Sequence, residues 1–302
     1  MSTNAPDVEI VEVSARDGIQ NEKTILPLDT KLDLIARATA AGAGRVEVTS
    51  FVNPARVPQM ADADALAAAL PRGGARHIGL ALNLRGFARA VAAGLDEVNF
   101  VVVASETFNQ RNQGVGMAES LAVWGGIAAA ARGRIAAGIT IGAAFGCPFE
   151  GEVPLARLMQ VVEAAMAHAP HELALADTIG VATPLDVAAR VGAVRAAFPE
   201  VPLRLHLHNT RNTGIANAWA GYEAGVRIFD ASLGGTGGCP FAPRATGNVA
   251  TEDLVYMFER AGIRTGWDLD AAIAAAEWLE AQLGHPVPGM VMKAGGFPPR
   301  AA

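Results

Sequence analysis

Two histidines stand one residue apart in the run Val201-Pro202-Leu203-Arg204-Leu205-His206-Leu207-His208. Alternate side chains of a strand share a face, so both imidazoles point one way and the three leucines the other. A lone histidine is ordinarily a hydrogen-bonded core residue. Two on one face, backed by leucine, suit a metal site resting on a core. Asp17, in Ser14-Ala15-Arg16-Asp17-Gly18, offers an oxygen, and Asn248, in Thr246-Gly247-Asn248-Val249, a candidate fourth ligand. Mixed oxygen and nitrogen donors with room for water fit an octahedral divalent ion, Mg2+ or Mn2+. Zinc fits less well, because neither cysteine has ligand spacing.

A second segment with chemical potential is Gly234-Gly235-Thr236-Gly237-Gly238-Cys239-Pro240-Phe241-Ala242-Pro243. Its glycines give backbone freedom, and its prolines restrain the residues after the thiol. Such a loop can deliver the Cys239 thiol to a substrate. The alternatives are a plain turn or a phosphate cradle, and the segment lacks the Gly-Lys-Ser/Thr ending of a nucleotide loop. Cys147, in Gly146-Cys147-Pro148-Phe149, reads as structural. Arg16 can stabilise a developing enolate or carboxylate oxygen; without its neighbours it would read as a surface ion pair. Asp177, in Asp177-Thr178-Ile179-Gly180, either positions substrate or organises the rim. Lysine occurs only at 23, 31 and 293, and none ends an expected strand. Schiff-base chemistry needs such a lysine, so metal-assisted carbon–carbon chemistry is the natural reading.

These residues need a common scaffold. Short β-branched runs are expected as strands near Val8–Val13, Arg45–Thr49, His77–Leu82, Glu97–Val103, Ile139–Ala144, Glu172–Ala176, Leu203–His208 and Arg227–Ala231. Between them lie amphipathic segments such as Thr30–Ala41, Met60–Leu70 and Leu155–Ala167. Asp29 or Thr30 is the expected cap of the first helix, and Pro184 after Thr183 fits a first-turn position. Eight strands, each followed by a helical run, predict an α/β fold, a (β/α)8 TIM barrel. An open doubly wound sheet is the rival. The barrel is favoured because Asp17, Glu47, Asp177, His206 and His208 all fall at strand C-termini, the catalytic rim of such barrels. Residues 1–302 are expected to form one catalytic domain, with the barrel over about 8–262 and a C-terminal helical and loop extension over about 263–302. The extension would serve as lid or interface. Arg204 shares the histidine face; it is expected either lower in the barrel or bulged outward.

Composition narrows the class. Of 302 residues 51% are hydrophobic, enough for a sizeable core. The net charge of -6 and the lack of a basic stripe argue against a nucleic-acid partner. No stretch approaches the roughly 18 apolar residues of a membrane span, so no membrane partner is expected. Two cysteines make no disulfide framework, and the first residues lack the pattern of a signal peptide. A cytoplasmic location with reduced thiols is the expectation.

Longer motifs carry a resemblance. Val11-Glu12-Val13-Ser14-Ala15-Arg16-Asp17-Gly18-Ile19-Gln20-Asn21-Glu22-Lys23, Glu47-Val48-Thr49-Ser50-Phe51-Val52-Asn53-Pro54, Gly146-Cys147-Pro148-Phe149-Glu150-Gly151, Gly237-Gly238-Cys239-Pro240 and Gly247-Asn248-Val249-Ala250-Thr251-Glu252 stand in register. Over roughly Val8 to Gly266 the chain resembles the 3-hydroxy-3-methylglutaryl-CoA lyase family, within the DRE-TIM metallolyases. The resemblance implies that Asp17, His206, His208 and Asn248 ligate a divalent ion. It implies that Arg16 steadies an enolate oxygen and that Cys239 exchanges a proton. Gln20, Glu47, Asp177 and Glu252 would support the site, and Lys23 would serve the CoA end or the rim. The substrate would be an acyl-CoA, with 3-hydroxy-3-methylglutaryl-CoA cleaved to acetyl-CoA and acetoacetate, and the chain a homodimer.

The chain also departs from that pattern. The family carries Asp and Tyr after the second histidine, where this chain has Asn209-Thr210-Arg211. It carries Arg-Gly-Tyr where this chain has Gly138-Ile139-Thr140. These positions lie where the acyl group is expected to bind. The acyl group is therefore open: a citramalyl or longer branched 3-hydroxyacyl group is the alternative. Arg211 would then replace a lost contact to a carboxylate, or else be solvated by drift. Two other classes compete, a non-catalytic relative of the barrel and a Claisen-type condensing enzyme. The joint presence of Arg16, Asp17, Cys239 and Asn248 argues against the first, and the Gly-Gly-Cys-Pro loop against the second.

Overall fold

The computed structural model describes residues 5–238 and 247–298. Eight parallel strands close into a barrel: β1 (Glu9–Glu12), β2 (Arg45–Ser50), β3 (Arg76–Leu80), β4 (Glu97–Val103), β5 (Ala136–Gly142), β8 (Leu173–Asp177), β9 (Leu203–Leu207) and β10 (Ile228–Ala231). Pairing of β1 with both β2 and β10 completes the ring and excludes the open sheet. Two further strands, β6 (Gly146–Cys147) and β7 (Gly151–Glu152), form a small antiparallel pair at the rim. The helices around the barrel are α1 (Leu28–Ala40), α2 (Ala63–Ala69), α3 (Leu84–Ala92), α4 (Glu106–Gln113), α5 (Met117–Ala131), α6 (Leu155–Met166), α7 (Pro184–Ala197), α8 (Gly214–Glu223) and α9 (Thr251–Arg260).

Strand alternation sorts the side chains. On β4, Val98, Phe100 and Val102 are buried in the layer shared with the helices, whereas Asn99 and Val101 line the interior. On β9, Leu203, Leu205 and Leu207 join the same outer layer. The barrel's lower end is filled unusually. Branched aliphatic side chains commonly fill such a layer, but here Arg45 bonds Glu97 at 2.6 Å and Glu172 at 2.9 Å. Arg204 joins Glu172 at 3.1 Å, so it lies low in the barrel and not on the outside. Val11, Val13 and Ile78 make a small separate apolar cluster.

Helix starts follow local chemistry, with one correction. Thr183 and Asp186 form a reciprocal capping box on α7, with Pro184 in its first turn as expected. Neither Asp29 nor Thr30 caps α1; the helix starts earlier, after Pro27, whose fixed φ enters the helix without a side-chain cap. Met60 ends a 3-10 turn (Pro58–Met60), and the helix expected from Met60 begins only at Ala63. Beyond the ring, α10 (Leu269–Leu283) packs on α1 and α9, followed by α11 (Val291–Ala294). No single described helix is long and apolar enough to cross a membrane.

Candidate active site

The site is built where β1, β9 and β10 end. Directly after β1 the chain makes one π-helical turn, Ser14–Gly18, a form frequent at functional sites. This turn presents Arg16 and Asp17 to the cavity. On β9 the two-residue period delivers His206 and His208 to the same side. Asn248 arrives from about 40 residues further on, through backbone pairing. Val249 N–H donates to Leu207 O at 3.0 Å and Asn209 N–H to Gly247 O at 2.9 Å, and His208 and Asn248 form a β-bridge.

One oxygen of Asp17 and one ring nitrogen of each histidine lie within 4.8 Å of one another. The two Nε2 atoms are 3.2 Å apart, and His206 Nε2 is 3.9 Å from Asp17 Oδ2. Two neighbouring ligands at about 2.1 Å from an octahedral ion stand about 3 Å apart, so the spacing fits. Asn248 Nδ2 donates to Asp17 Oδ2 at 2.8 Å and to Thr236 O at 2.9 Å, which leaves its Oδ1 buried without a partner. The donor set and this orphaned oxygen suit a hard divalent cation.

Burial and neighbouring charges set the charge states of these groups. Burial would neutralise Asp17, but the Arg16, His206 and His208 charges and the Asn248 amide hold it well below the usual carboxylate range. Burial, reinforced by neighbouring His206, lowers His208 to about 4, which keeps a free lone pair at neutral pH. Burial opposes a charge on His206, yet the Asp230 hydrogen bond and the Asp17 and Asp230 charges raise it.

Arg16 is held from two sides, donating to Asp17 Oδ1 and, at 2.6 Å, to Glu47 Oε2. Glu47 sits beside a register shift in β2 between Glu47 and Thr49. It is buried behind Arg16 and does not line the cavity, so it acts on Arg16 and not on a substrate. Arg16 Nε is buried and unpartnered.

The cavity holds about 770 Å³ and is lined by Arg16, Asp17, Gln20, Thr140, His206 and His208 among others. Four expected substrate contacts do not line it, Glu47 being the first. Asp177 is fully buried, with its oxygens on the N–H groups of Val181 (2.9 Å) and Ala182 (3.0 Å), so it organises the loop after β8. Arg211 donates to the carbonyls of Ile179 and Gly180, both at 2.9 Å, and ties down that same loop. Lys23 is exposed away from the cavity. Asn209 follows His208, and its side-chain Oδ1 accepts from Gly214 N–H at 2.9 Å, at the start of α8. Glu252 Oε2 accepts from Gly234 N–H at 3.1 Å and so supports the approach to the glycine loop. Cys239 lies outside the described residues; Gly238, just before it, accepts a 2.7 Å hydrogen bond from Asn21 at the rim. Cys147 is buried with its sulfur 3.0 Å from Ser105 Oγ, a structural placement. Asp230 is a site residue that sequence reasoning misses: it lines the cavity and lies 3.0 Å from His206 Nδ1. The available signal is a charged residue inside the short apolar strand Ile228-Phe229-Asp230-Ala231.

A family model described as HMGL-like matches residues 7–279. The chain belongs to the HMGL-like family. It is 47% identical to (R)-citramalyl-CoA lyase of Chloroflexus aurantiacus, covering 97% of this chain and 96% of that one. It is 37% identical to hydroxymethylglutaryl-CoA lyase YngG of Bacillus subtilis, over 93% and 95%. Among solved structures, an HMG-CoA lyase from Acinetobacter baumannii in complex with coenzyme A and 3-methylmalate superposes with a TM-score of 0.94. That pair is 41% identical and covers 100% and 99% of the two chains.

Proposed function

We propose that the chain is a divalent-cation-dependent lyase that breaks a carbon–carbon bond of a short, branched 3-hydroxyacyl-CoA, with citramalyl-CoA the preferred substrate. The observation that carries the reaction class is the convergence of Asp17, His206 and His208 beside a buried Arg16. The 47% identity with a citramalyl-CoA lyase, over nearly the full length of both chains, carries the substrate. The pocket agrees: the strand-five position is Thr140, which bonds Asn99 at 3.0 Å, a small polar wall in place of the expected arginine and tyrosine.

Mg2+ or Mn2+, held by Asp17, His206, His208 and Asn248, would supply Lewis-acid polarisation of the substrate hydroxyl and carboxylate, lowering the hydroxyl pKa. The residues do the rest. A base at the rim would take the hydroxyl proton, while Asp17, kept ionised, would help hold the cation. The oxygen's electron pair forms the new carbonyl, and the C2–C3 bonding pair moves onto the thioester as an enolate. Arg16 lines the cavity and would stabilise that developing charge with its guanidinium. Cys239 gives a proton to the enolate carbon, completing acetyl-CoA. Citramalyl-CoA would release pyruvate as the second product, and 3-hydroxy-3-methylglutaryl-CoA would release acetoacetate. The latter is the second reading, favoured by the family model and by relatives such as the Bacillus enzyme. Homodimer formation and a cytoplasmic location belong to the same proposal.

Purified protein assayed on both thioesters with Mg2+ tests it. Higher kcat/KM on citramalyl-CoA is expected. Activity on hydroxymethylglutaryl-CoA alone would overturn the substrate assignment, and cleavage of neither would overturn the reaction class.

A further inference from the structure

We propose that Asp230 is a positioning residue for the cation site: it fixes the ring of His206, and Arg204 beneath it anchors the Asp230 carboxylate. This rests on the reading of Asp17, His206 and His208 as cation ligands.

The two ring nitrogens of His206 face different surroundings. Nε2 faces the site, 3.2 Å from His208 Nε2 and 3.9 Å from Asp17 Oδ2. Nδ1 lies 3.0 Å from Asp230 Oδ2. A carboxylate accepts only, so Nδ1 carries the hydrogen and Nε2 presents its lone pair to the site. Register explains the meeting: Asp230 pairs directly with His206 across β9 and β10.

Asp230 is held in turn by charge, since neither its Oδ1 nor Arg204 Nε makes a hydrogen bond. Its Oδ1 is 3.3 Å from Arg204 Nη1, and Arg204 Nε is 3.1 Å from Glu172 Oε1. Glu172 also pairs with Arg45 at 2.9 Å, on the far side of the barrel floor. Burying such charges in place of aliphatic side chains brings no certain gain in stability. Their arrangement does supply a fixed carboxylate under one ligand. His208 is an internal contrast: its Nδ1 is buried with no partner. Only His206 is locked, while His208 keeps its orientation through packing and its ligand role alone.

The experiment measures Mn2+ binding to metal-free protein, by the electron paramagnetic resonance of free Mn2+, for wild type, Asp230→Ala and Asp230→Asn. Thermal midpoints without metal are recorded alongside. Loss of the oriented carboxylate in Asp230→Ala is expected to raise the Mn2+ Kd about 10- to 100-fold. Asp230→Asn keeps an oxygen to accept from Nδ1 but loses the charge, and is expected to fall between the two. If Asp230→Ala does not fold, the isosteric Asp230→Asn gives the reading, with a several-fold rise expected. A purely structural role would lower the midpoint and leave affinity unchanged; a folded variant binding Mn2+ within about twofold of wild type overturns the proposal. Wild-type protein that takes up no Mn2+ overturns the metal reading itself, and the proposal with it.

Discussion

Glu47 accepts a 2.6 Å hydrogen bond from Arg16 Nη2, reaching across from the second strand to the turn after the first. Its other oxygen is buried without a partner, so the carboxylate is committed to the guanidinium. Arg16→Gln should lower kcat by about 10²- to 10³-fold, the scale of removing a donor to a developing oxyanion. Glu47→Gln should lower it by about tenfold, since Arg16 keeps its charge but loses a fixed direction. Steady-state kinetics check both, and a Glu47→Gln enzyme with unchanged kcat would remove Glu47 from the account.

The proton donor gives a second test. Cys239→Ala should lower turnover by about 10²-fold or more, as for loss of a general acid. The variant should still bind Mn2+ with wild-type affinity, because the four proposed ligands are untouched. Near-normal turnover would assign the proton to another group.

Much of this was legible in sequence because strand periodicity is local. The spacing of His206 and His208 set their common face, and eight alternating units with polar residues at the strand ends favoured the barrel over an open sheet. Information that depends on register was not legible. Nothing local says that Asp230 sits opposite His206, or that Arg204 turns down to Glu172. Asp177, read as positioning substrate or organising the rim, does the second, and Arg211, read as a carboxylate contact or a solvated side chain, instead binds the same loop. Asp177 ends β8 and Arg211 follows β9, places where substrate contacts are expected, yet the loop after β8 has its own unsatisfied backbone groups, which they bind. Such demands come from loop conformation, not from residue type.

Gly247 fixes Asn248. Its φ of +121° is strained for any other residue, and a Cβ there would overlap Gly235 O and lie 2.6 Å from Gly237 O. Gly247→Ala should cost about 1–3 kcal/mol or more, seen as a lower Tm, and should weaken Mn2+ binding. Gly262→Ala has a positive φ but open space, so a small Tm loss with normal Mn2+ affinity is expected. Equal effects of the two on metal affinity would contradict the role given to residue 247.

Burial, with neighbouring Asp253 and Glu12 adding to it, pushes Glu252 up to about 8 from an ordinary value of 4.5. The folded state then holds a proton that the unfolded state has released between these values. Stability should therefore fall as pH rises from about 4.5 to 8 through this group. Glu252→Gln cannot ionise and should flatten that slope. Thermal midpoints of both proteins from about pH 5 to 8 check it; parallel curves would show that Glu252 does not titrate in this window.

The most direct measurement is citramalyl-CoA cleavage by protein stripped of metal with a chelator and then dialysed. Turnover should vanish and return on adding Mg2+ or Mn2+, with an Asp17→Asn, His206→Asn double variant failing to recover. Undiminished cleavage by metal-free protein would contradict the account at its base.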